Sequence, residues 1–451
     1  MIKPVKTKLA GWGNYPVEEG FLFRPDNGRD VLKILQSGLQ NNYIAFGMGR
    51  SYGDTPLNKQ SGVLLTTQLN RILSFDETTG VLECEAGVTF EDIINVFLPR
   101  GYFLPVTPGT KYVTLGGAIA NDVHGKNHHL DGCVSSFILD FKLMLASGEI
   151  IDCSREHNAD IFWATVGGIG LTGIIVSARI RLEKVESAYY DVLYEKAPNI
   201  ERALELFAES DDKYKFSVAW IDCLARGSSL GKSVLMRGNY APAASLRSGT
   251  EPLKLKNGPK LAIPFDFPSF ALNNLSIKSF NTLYYGVNKN IRKTVYFDSF
   301  FYPLDSIYKW NRMYGKKGFV QYQAVFPPEG KEGLIQMLER LSSSNRSSFL
   351  AVLKTSGEQN PGLLSFPKKG YTLALDIPIK DESLFTFLHE LDELVIRYGG
   401  RVYLAKDSEL LPEHFTEMYP RLKEFRAIKN RIDPNHIFSS SMARRLGIVE
   451  E

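Results

Sequence analysis

Three glycine-rich segments punctuate the first part of the chain, each set against a β-rich run. The first, Ala45-Phe46-Gly47-Met48-Gly49-Arg50-Ser51-Tyr52-Gly53-Asp54, directly follows the strand-like NNYIAF. Glycines there let backbone amides turn toward a phosphate, and Arg50 and Ser51 add donors. No Lys-Ser/Thr pair follows, so this is not a Walker loop, and a bare turn is the competing reading. The second segment runs Thr107-Pro108-Gly109-Thr110 and then from Val113 to His129. Its small residues, Gly116 to Ala120, allow a helix to lie close to a flat ligand. The third, Gly167 to Ile175, contains a formal GxGxxG but leads into a strand instead of opening a helix. The dinucleotide-binding reading therefore fails on context, while the backbone remains suited to lining a cofactor.

Two other features of these segments admit rival readings. His124, His128 and His129 fall within six residues, and His124 and His128 are four apart. No carboxylate stands at the spacing of helical zinc motifs, so no metal is expected. The uncharged run Ile161 to Ala178 is long enough to suggest a membrane helix. Four glycines crowd its centre, and IIVSARIRL alternates as strands do, so a glycine-rich turn leading into a strand fits better.

From about residue 20 to 185 short β-rich runs alternate with helical segments such as DVLKILQSGLQ and TFEDIINVFLPRG. Thr89 and Asp92 form a capping-box pair at the start of the latter. After Glu186 the strands lengthen (KFSVAWIDCL, KSVLMRG, GFVQYQAVF, SFLAVLKT, GYTLALDIPI) and are interleaved with helices of 3.6-residue periodicity. This predicts an α+β protein whose second part is an antiparallel sheet covered by helices. The last fifty residues read as helical, ending in a charged tail.

Net charge is +3 over 451 residues, which gives no warrant for a nucleic-acid partner. That figure is a sum of opposites: Arg226 to Lys317 holds 15 Lys/Arg against 4 Asp/Glu, or +11, leaving −8 elsewhere. Inside the basic stretch lies LAIPFDFPSFALNNL, flanked by Lys254, Lys256, Lys260 and Lys278. It reads either as a surface loop with solvated lysines or as an interfacial patch meeting acyl chains and anionic headgroups. The four cysteines, Cys84, Cys133, Cys153 and Cys223, are scattered without metal or CxxC spacing and read as reduced buried thiols. The start, MIKPVKTKLAGWGNYP, has no apolar stretch of signal-peptide length. The expected location is cytoplasmic or peripherally membrane-associated.

Taken together, the GxGRSxGD loop, the TPGT…TLGGAIA segment and FWATVGGxGLTGII resemble the flavin domain of the vanillyl-alcohol-oxidase-type FAD-linked oxidoreductases. Further motifs narrow this: DVHGKNHH, WIDC, LGKSVLMRG, GFVQYQ, LDIPIKD, GGRVYLAKDS, MYPRLKEF, RIDP and SSSMARRL. Collinear from about Gly11 onward, they resemble the family of decaprenylphosphoryl-β-D-ribose 2-oxidases. The resemblance implies a two-subdomain FAD-binding domain (PCMH/VAO type, residues 1–187), an inserted cap (188–400) and a C-terminal segment (401–451) returning to the flavin domain.

It also implies roles. FAD contacts carry over to Ala45, Phe46, Gly47, Met48, Gly49, Arg50, Ser51, Tyr52, Gly53, Asp54 and Thr55. Further along they carry over to Gly109, Thr114, Leu115, Gly116, Gly117, Asn121, Asp122, Val123, His124, Ile175 and Tyr403. The loop reads Arg50-Ser51-Tyr52-Gly53, without the histidine to which many wider relatives attach the flavin, so non-covalent FAD is expected. Substrate contacts carry over to Trp220, Gln321, Gln323, Lys354, Thr372 and Lys406, and catalytic roles to Lys406, His124 and Lys354. Gln321 and Gln323, two apart on a strand, share a face. A desolvated lysine there can bind a phosphate, steady an oxyanion or take a hydroxyl proton.

The sequence also departs from the family. Ala374 stands where mycobacterial members carry a reactive cysteine, so cysteine-trapping inhibitors should not bond here. Thr372 replaces an amide side chain, and Phe301 stands where a tyrosine is expected. The expected reaction is oxidation of a sugar secondary alcohol, the 2-hydroxyl of a polyprenyl-phosphoryl ribose, with an NAD(P)H-dependent short-chain reductase as partner completing an epimerisation. The alternatives are a soluble sugar, alditol or aldonolactone oxidase using oxygen, and a non-catalytic flavin- or lipid-sugar-binding protein.

Overall fold

The computed structural model describes residues 3–209, 212–256, 261–268, 273–344, 346, 348 and 350–449. Lys260 and residues 269–272 of the apolar run lie outside them.

The chain opens with a four-stranded mixed sheet in the order β1 (Val5–Ala10), β2 (Val17–Phe23), β4 (Gly62–Leu65), β3 (Tyr43–Phe46). The helix Gly28–Gln36 bridges β2 and β3, started by Asn27, whose side chain accepts from the Asp30 amide. A five-stranded antiparallel sheet follows in the order β5 (Ile72–Asp76), β6 (Val81–Glu85), β10 (Ile174–Arg181), β8 (Ile138–Met144), β9 (Ile150–Ser154). The capping box of Thr89 and Asp92 forms at the helix Phe90–Phe97, as the sequence predicts. A short pair, β7 (Tyr102–Phe103) with β11 (Glu183–Lys184), closes this part. Within Ile161–Ala178 the first residues complete a helix, Ala159–Thr165, before the glycine turn and β10. Among the described residues no helix is long and apolar enough to cross a membrane. All four cysteines are free and buried.

An eight-stranded sheet takes up the second part. Its order is β16 (Ile291–Tyr296), β12 (Tyr189–Ala197), β14 (Ser233–Tyr240), β13 (Phe216–Ile221), β19 (Ala351–Ser356), β20 (Gly370–Pro378), β18 (Phe319–Phe326), β21 (Arg401–Val402). Its strand pairs among the described residues are antiparallel, whereas β15 (Leu261–Ala262) and β17 (Ile307–Tyr308) form a separate parallel pair. Strand alternation divides the large sheet into two faces. Tyr322, Ala324, Leu353, Leu373 and Leu375 join one apolar core with Leu334, Leu338, Leu388 and Leu391 of the helices Lys331–Ser343 and Ser383–Arg397. The opposite face carries Gln321 and Gln323, and register places Asp376 opposite Gln321 and Ala374 opposite Gln323. Lys354 pairs with Thr372 and Val352 with Ala374, and Trp220 of β13 pairs with Val352. This face therefore carries polar side chains on three neighbouring strands, β18, β20 and β19, with Trp220 of β13 beside them.

Of the charged tail that the sequence suggests, Glu450 and Glu451 lie outside the described residues, and the segment before them is packed. After the helix Ser441–Arg445, Leu446, Ile448 and Val449 are buried in the largest core, and Arg445 is held between Asp54 and Asp407. The apolar residues alternating with the terminal charges decide the outcome, because burying them outweighs leaving the arginines in water.

Candidate active site

A cavity lies between the glycine segments and the polar face of the large sheet. Its first wall is made by Ala45, Gly47 to Tyr52 and Thr55 of the first loop, with Gly109, Thr114, Gly116, Gly117, Asn121, Val123 and His124 of the second. Ile169, Gly170, Gly173, Ile174 and Ile175 of the third segment continue it. Gln321, Gln323, Val352, Lys354 and Ala374 come from the sheet, and Tyr403, Ala405 and Lys406 from the loop after β21.

Local sequence explains the close fit. Thr114 caps the helix Leu115–Ala120, accepting from the Gly117 amide over 3.2 Å. A Cβ on Gly47 would sit 2.5 Å from the Thr114 hydroxyl, so only glycine lets the first loop approach this helix. Gly109 has no atom within 4 Å of a Cβ position and leaves its side of the wall open. Asn121 Oδ1 and His124 Nδ1 are buried atoms of cavity-lining residues without a hydrogen-bond partner.

Five residues carried over as FAD contacts do not line the cavity: Phe46, Gly53, Asp54, Leu115 and Asp122. Asp54 lies behind the loop in a bidentate pair with Arg445 (2.8 and 2.9 Å). Asp122 is fully buried and accepts from Asn360 and Ser365, bracing the turn before His124. Gly53 is packed against Asp407 of the Lys406 loop, and Leu115 is wholly in the core. Of the carried-over substrate residues, Trp220 and Thr372 are on the right face yet do not line the cavity. Thr372 is buried and accepts from Gln323 Nε2 over 3.2 Å, whereas Trp220 is covered by Tyr284, ring to ring 4.6 Å. Phe301 is turned into an aromatic cluster with Phe103, Tyr190 and Phe216 and does not line the cavity. Ala374 does line the cavity.

Residues with no motif to announce them also contribute. Arg50 stacks its guanidinium 3.9 Å from the Trp12 ring, and Asp305, Lys309 and Trp310 complete that end. Among the described residues no group of three His, Cys, Asp or Glu side chains is placed to hold a metal.

Burial lowers Lys126 as well, to about 7, but of the shifted lysines Lys354 and Lys406 are the two that line the cavity. Burial pushes the Lys406 ammonium down to about 7, with Asp376 opposing the drop and Lys354 adding to it. Burial takes Lys354 down to about 8. His124 is held well below its usual range by burial and by the cations Lys354 and Lys406. It is therefore a neutral ring at physiological pH, with Nε2 3.2 Å from Gln323 Nε2 and its ring 5.6 Å from Tyr403. Lys406 Nζ lies 4.1 Å from the centre of the Tyr52 ring, so the first loop and the loop after β21 share this contact.

The family described as FAD binding domain matches residues 20–154, and that described as D-arabinono-1,4-lactone oxidase matches residues 377–446. The decaprenylphosphoryl-β-D-ribose oxidase of Mycolicibacterium smegmatis is 37% identical over 99% of this chain and 99% of that protein. The chain belongs to that family. An uncharacterized protein of Streptomyces coelicolor is a further relative of this decaprenylphosphoryl-β-D-ribose oxidase family member, 30% identical over 80% of this chain and all of that protein. The L-gulonolactone oxidase of Scyliorhinus torazame is 29% identical over 39% of this chain and 40% of that protein.

FAD is the cofactor of the domain that contains the first two glycine segments. The residues present fit it: a wall of small residues with open space at Gly109, and unpartnered polar atoms on Asn121 and His124 for a ring with polar edges.

Proposed function

We propose that this protein oxidises the 2-hydroxyl of a polyprenyl-phosphoryl ribose to a ketone. One observation carries the reading: two desolvated lysines, a neutral histidine and two strand glutamines converge on the cavity walled by the FAD-domain glycine loops. FAD, when bound, supplies the two-electron acceptor for the carbinol C–H. Lys406, neutral above about pH 7, takes the hydroxyl proton. Lys354 remains the better cation and steadies negative charge on the sugar oxygen or its phosphate. Gln321 and Gln323 orient the sugar hydroxyls from one face, and His124 contributes its neutral ring without competing for the proton.

The flavin is held without a covalent bond, since the loop offers Arg50-Ser51-Tyr52-Gly53 and no histidine. The division is a flavin unit over 1–187, a cap over 188–400 and a returning segment over 401–451. The keto product passes to a separate NAD(P)H-dependent short-chain reductase, which completes the epimerisation. Lys406→Ala tests the assignment: the purified variant should stay yellow yet lose substrate-driven bleaching by at least about a hundredfold. A yellow variant that bleaches at the unsubstituted rate removes Lys406 from the reaction.

A further inference from the structure

Two exposed apolar pieces of the basic stretch back onto the cavity wall. The first is the helix Asn274–Val287, where Leu275, Leu283 and Val287 are 76%, 65% and 63% exposed. At 3.6 residues per turn these three fall within an arc of about 120°, so they form one face. The other side is anchored: Ile277 is buried, Asn281 donates to Asp222 over 2.7 Å, and Tyr284 covers Trp220. Trp220 pairs in turn with Val352, a cavity-lining residue. The second piece is β15 with the residues after it, where Leu261 and Phe265 are 74% and 63% exposed. β15 runs beside β17, and Ile307, Tyr308 and Lys309 line the cavity.

Exposed apolar side chains at this density mark a contact surface. Its charge selects the partner. Lys278 on the helix, Lys289 just past its end and Lys309 just past β17 are exposed, in the sequence stretch with 15 Lys/Arg against 4 Asp/Glu. A second copy brought to the same face would set these exposed lysines against their own counterparts, which disfavours self-association. Apolar side chains fringed by lysines match the layered chemistry of a bilayer with anionic headgroups.

We propose that this face lies on an anionic lipid bilayer, with Leu275, Leu283, Val287, Leu261 and Phe265 among the acyl chains and the lysines at the headgroups. Resting on the functional reading above, the lipid-linked sugar then reaches the cavity while its prenyl chain stays in the membrane. The FAD-loaded protein should co-sediment with vesicles containing phosphatidylglycerol, bind phosphatidylcholine vesicles far less, and be released by salt. Leu275→Ser/Leu283→Ser/Val287→Ser should weaken vesicle binding about tenfold or more. The same variant should keep its flavin and its bleaching by a water-soluble, short-prenyl substrate. Equal sedimentation of variant and unsubstituted protein overturns the proposal, as does binding indifferent to anionic lipid. A concentration-dependent dimer that the substitutions dissolve also overturns it, assigning the face to contact between copies. Vesicle binding without bleaching by any prenyl-phosphoryl sugar would instead leave the surface standing and remove the catalytic reading.

Discussion

Gln321 Nε2 donates to Asp376 Oδ1 over 2.5 Å, between residues placed directly opposite on β18 and β20. An ionised carboxylate only accepts, so this bond fixes the glutamine amide and leaves its oxygen for other donors. The Asp376 charge also faces Lys406 and holds that lysine higher than burial alone would leave it. Burial raises Asp376 itself to about 7, so its charge acts fully only above that pH.

The sign of the pH dependence follows. A base must be neutral to accept a proton, and Lys406 becomes neutral as pH rises through about 7. Flavin reduction should therefore speed up with pH across that region and then level off. Asp376→Asn removes the charge that favours the ammonium, so the rising limb should move to lower pH. KM should stay near its unsubstituted value, because an asparagine oxygen can still accept from Gln321 Nε2. Stopped-flow reduction rates across pH check both effects, and superimposable profiles would deny Asp376 this role.

Arg445 should matter for stability out of proportion to its distance in sequence. It contacts Asp54 behind the first glycine loop and Asp407 beside Lys406, each at 2.8 Å, and both carboxylates are buried. Arg445→Ala leaves two buried charges unpaired, at a cost of about 3–5 kcal/mol. Denaturant unfolding should show that loss, and FAD affinity should fall with it. A change within experimental error would mean that water satisfies both carboxylates.

A pair of glycine substitutions separates close packing from open wall. A Cβ on Gly53 would lie 1.8 Å from the Asp407 carbonyl oxygen, so Gly53→Ala should force the two loops apart and release FAD. Gly109→Ala meets no atom within 4 Å and should leave the fold intact, changing only flavin affinity. Flavin retained per protein during gel filtration measures both. Equal retention in the two variants would contradict this packing argument.

Much of this architecture is legible in the sequence because it is local. Glycine spacing marks the three loops, Thr89 and Asp92 mark a helix start, and the two-residue step of Gln321 and Gln323 puts both on one face. What stays hidden depends on contacts between distant segments. Nothing near Arg445 signals Asp54, 391 positions away, and nothing in Trp12 announces its stacking with Arg50. Thr372 has the right strand parity yet accepts from Gln323 behind the cavity wall, a depth that periodicity does not encode. Asp376 stands within the LDIPIKD motif, yet its tie to Gln321 depends on strand register, which the motif does not show.

The most direct test is anaerobic mixing of the oxidised flavoprotein with a prenyl-phosphoryl ribose, with free pentoses and alditols as parallel arms. The flavin absorbance should bleach with the prenyl-phosphoryl sugar, one two-electron equivalent per site, and remain with the free sugars. Bleaching by the free sugars alone would contradict the account and assign the cavity to a soluble sugar.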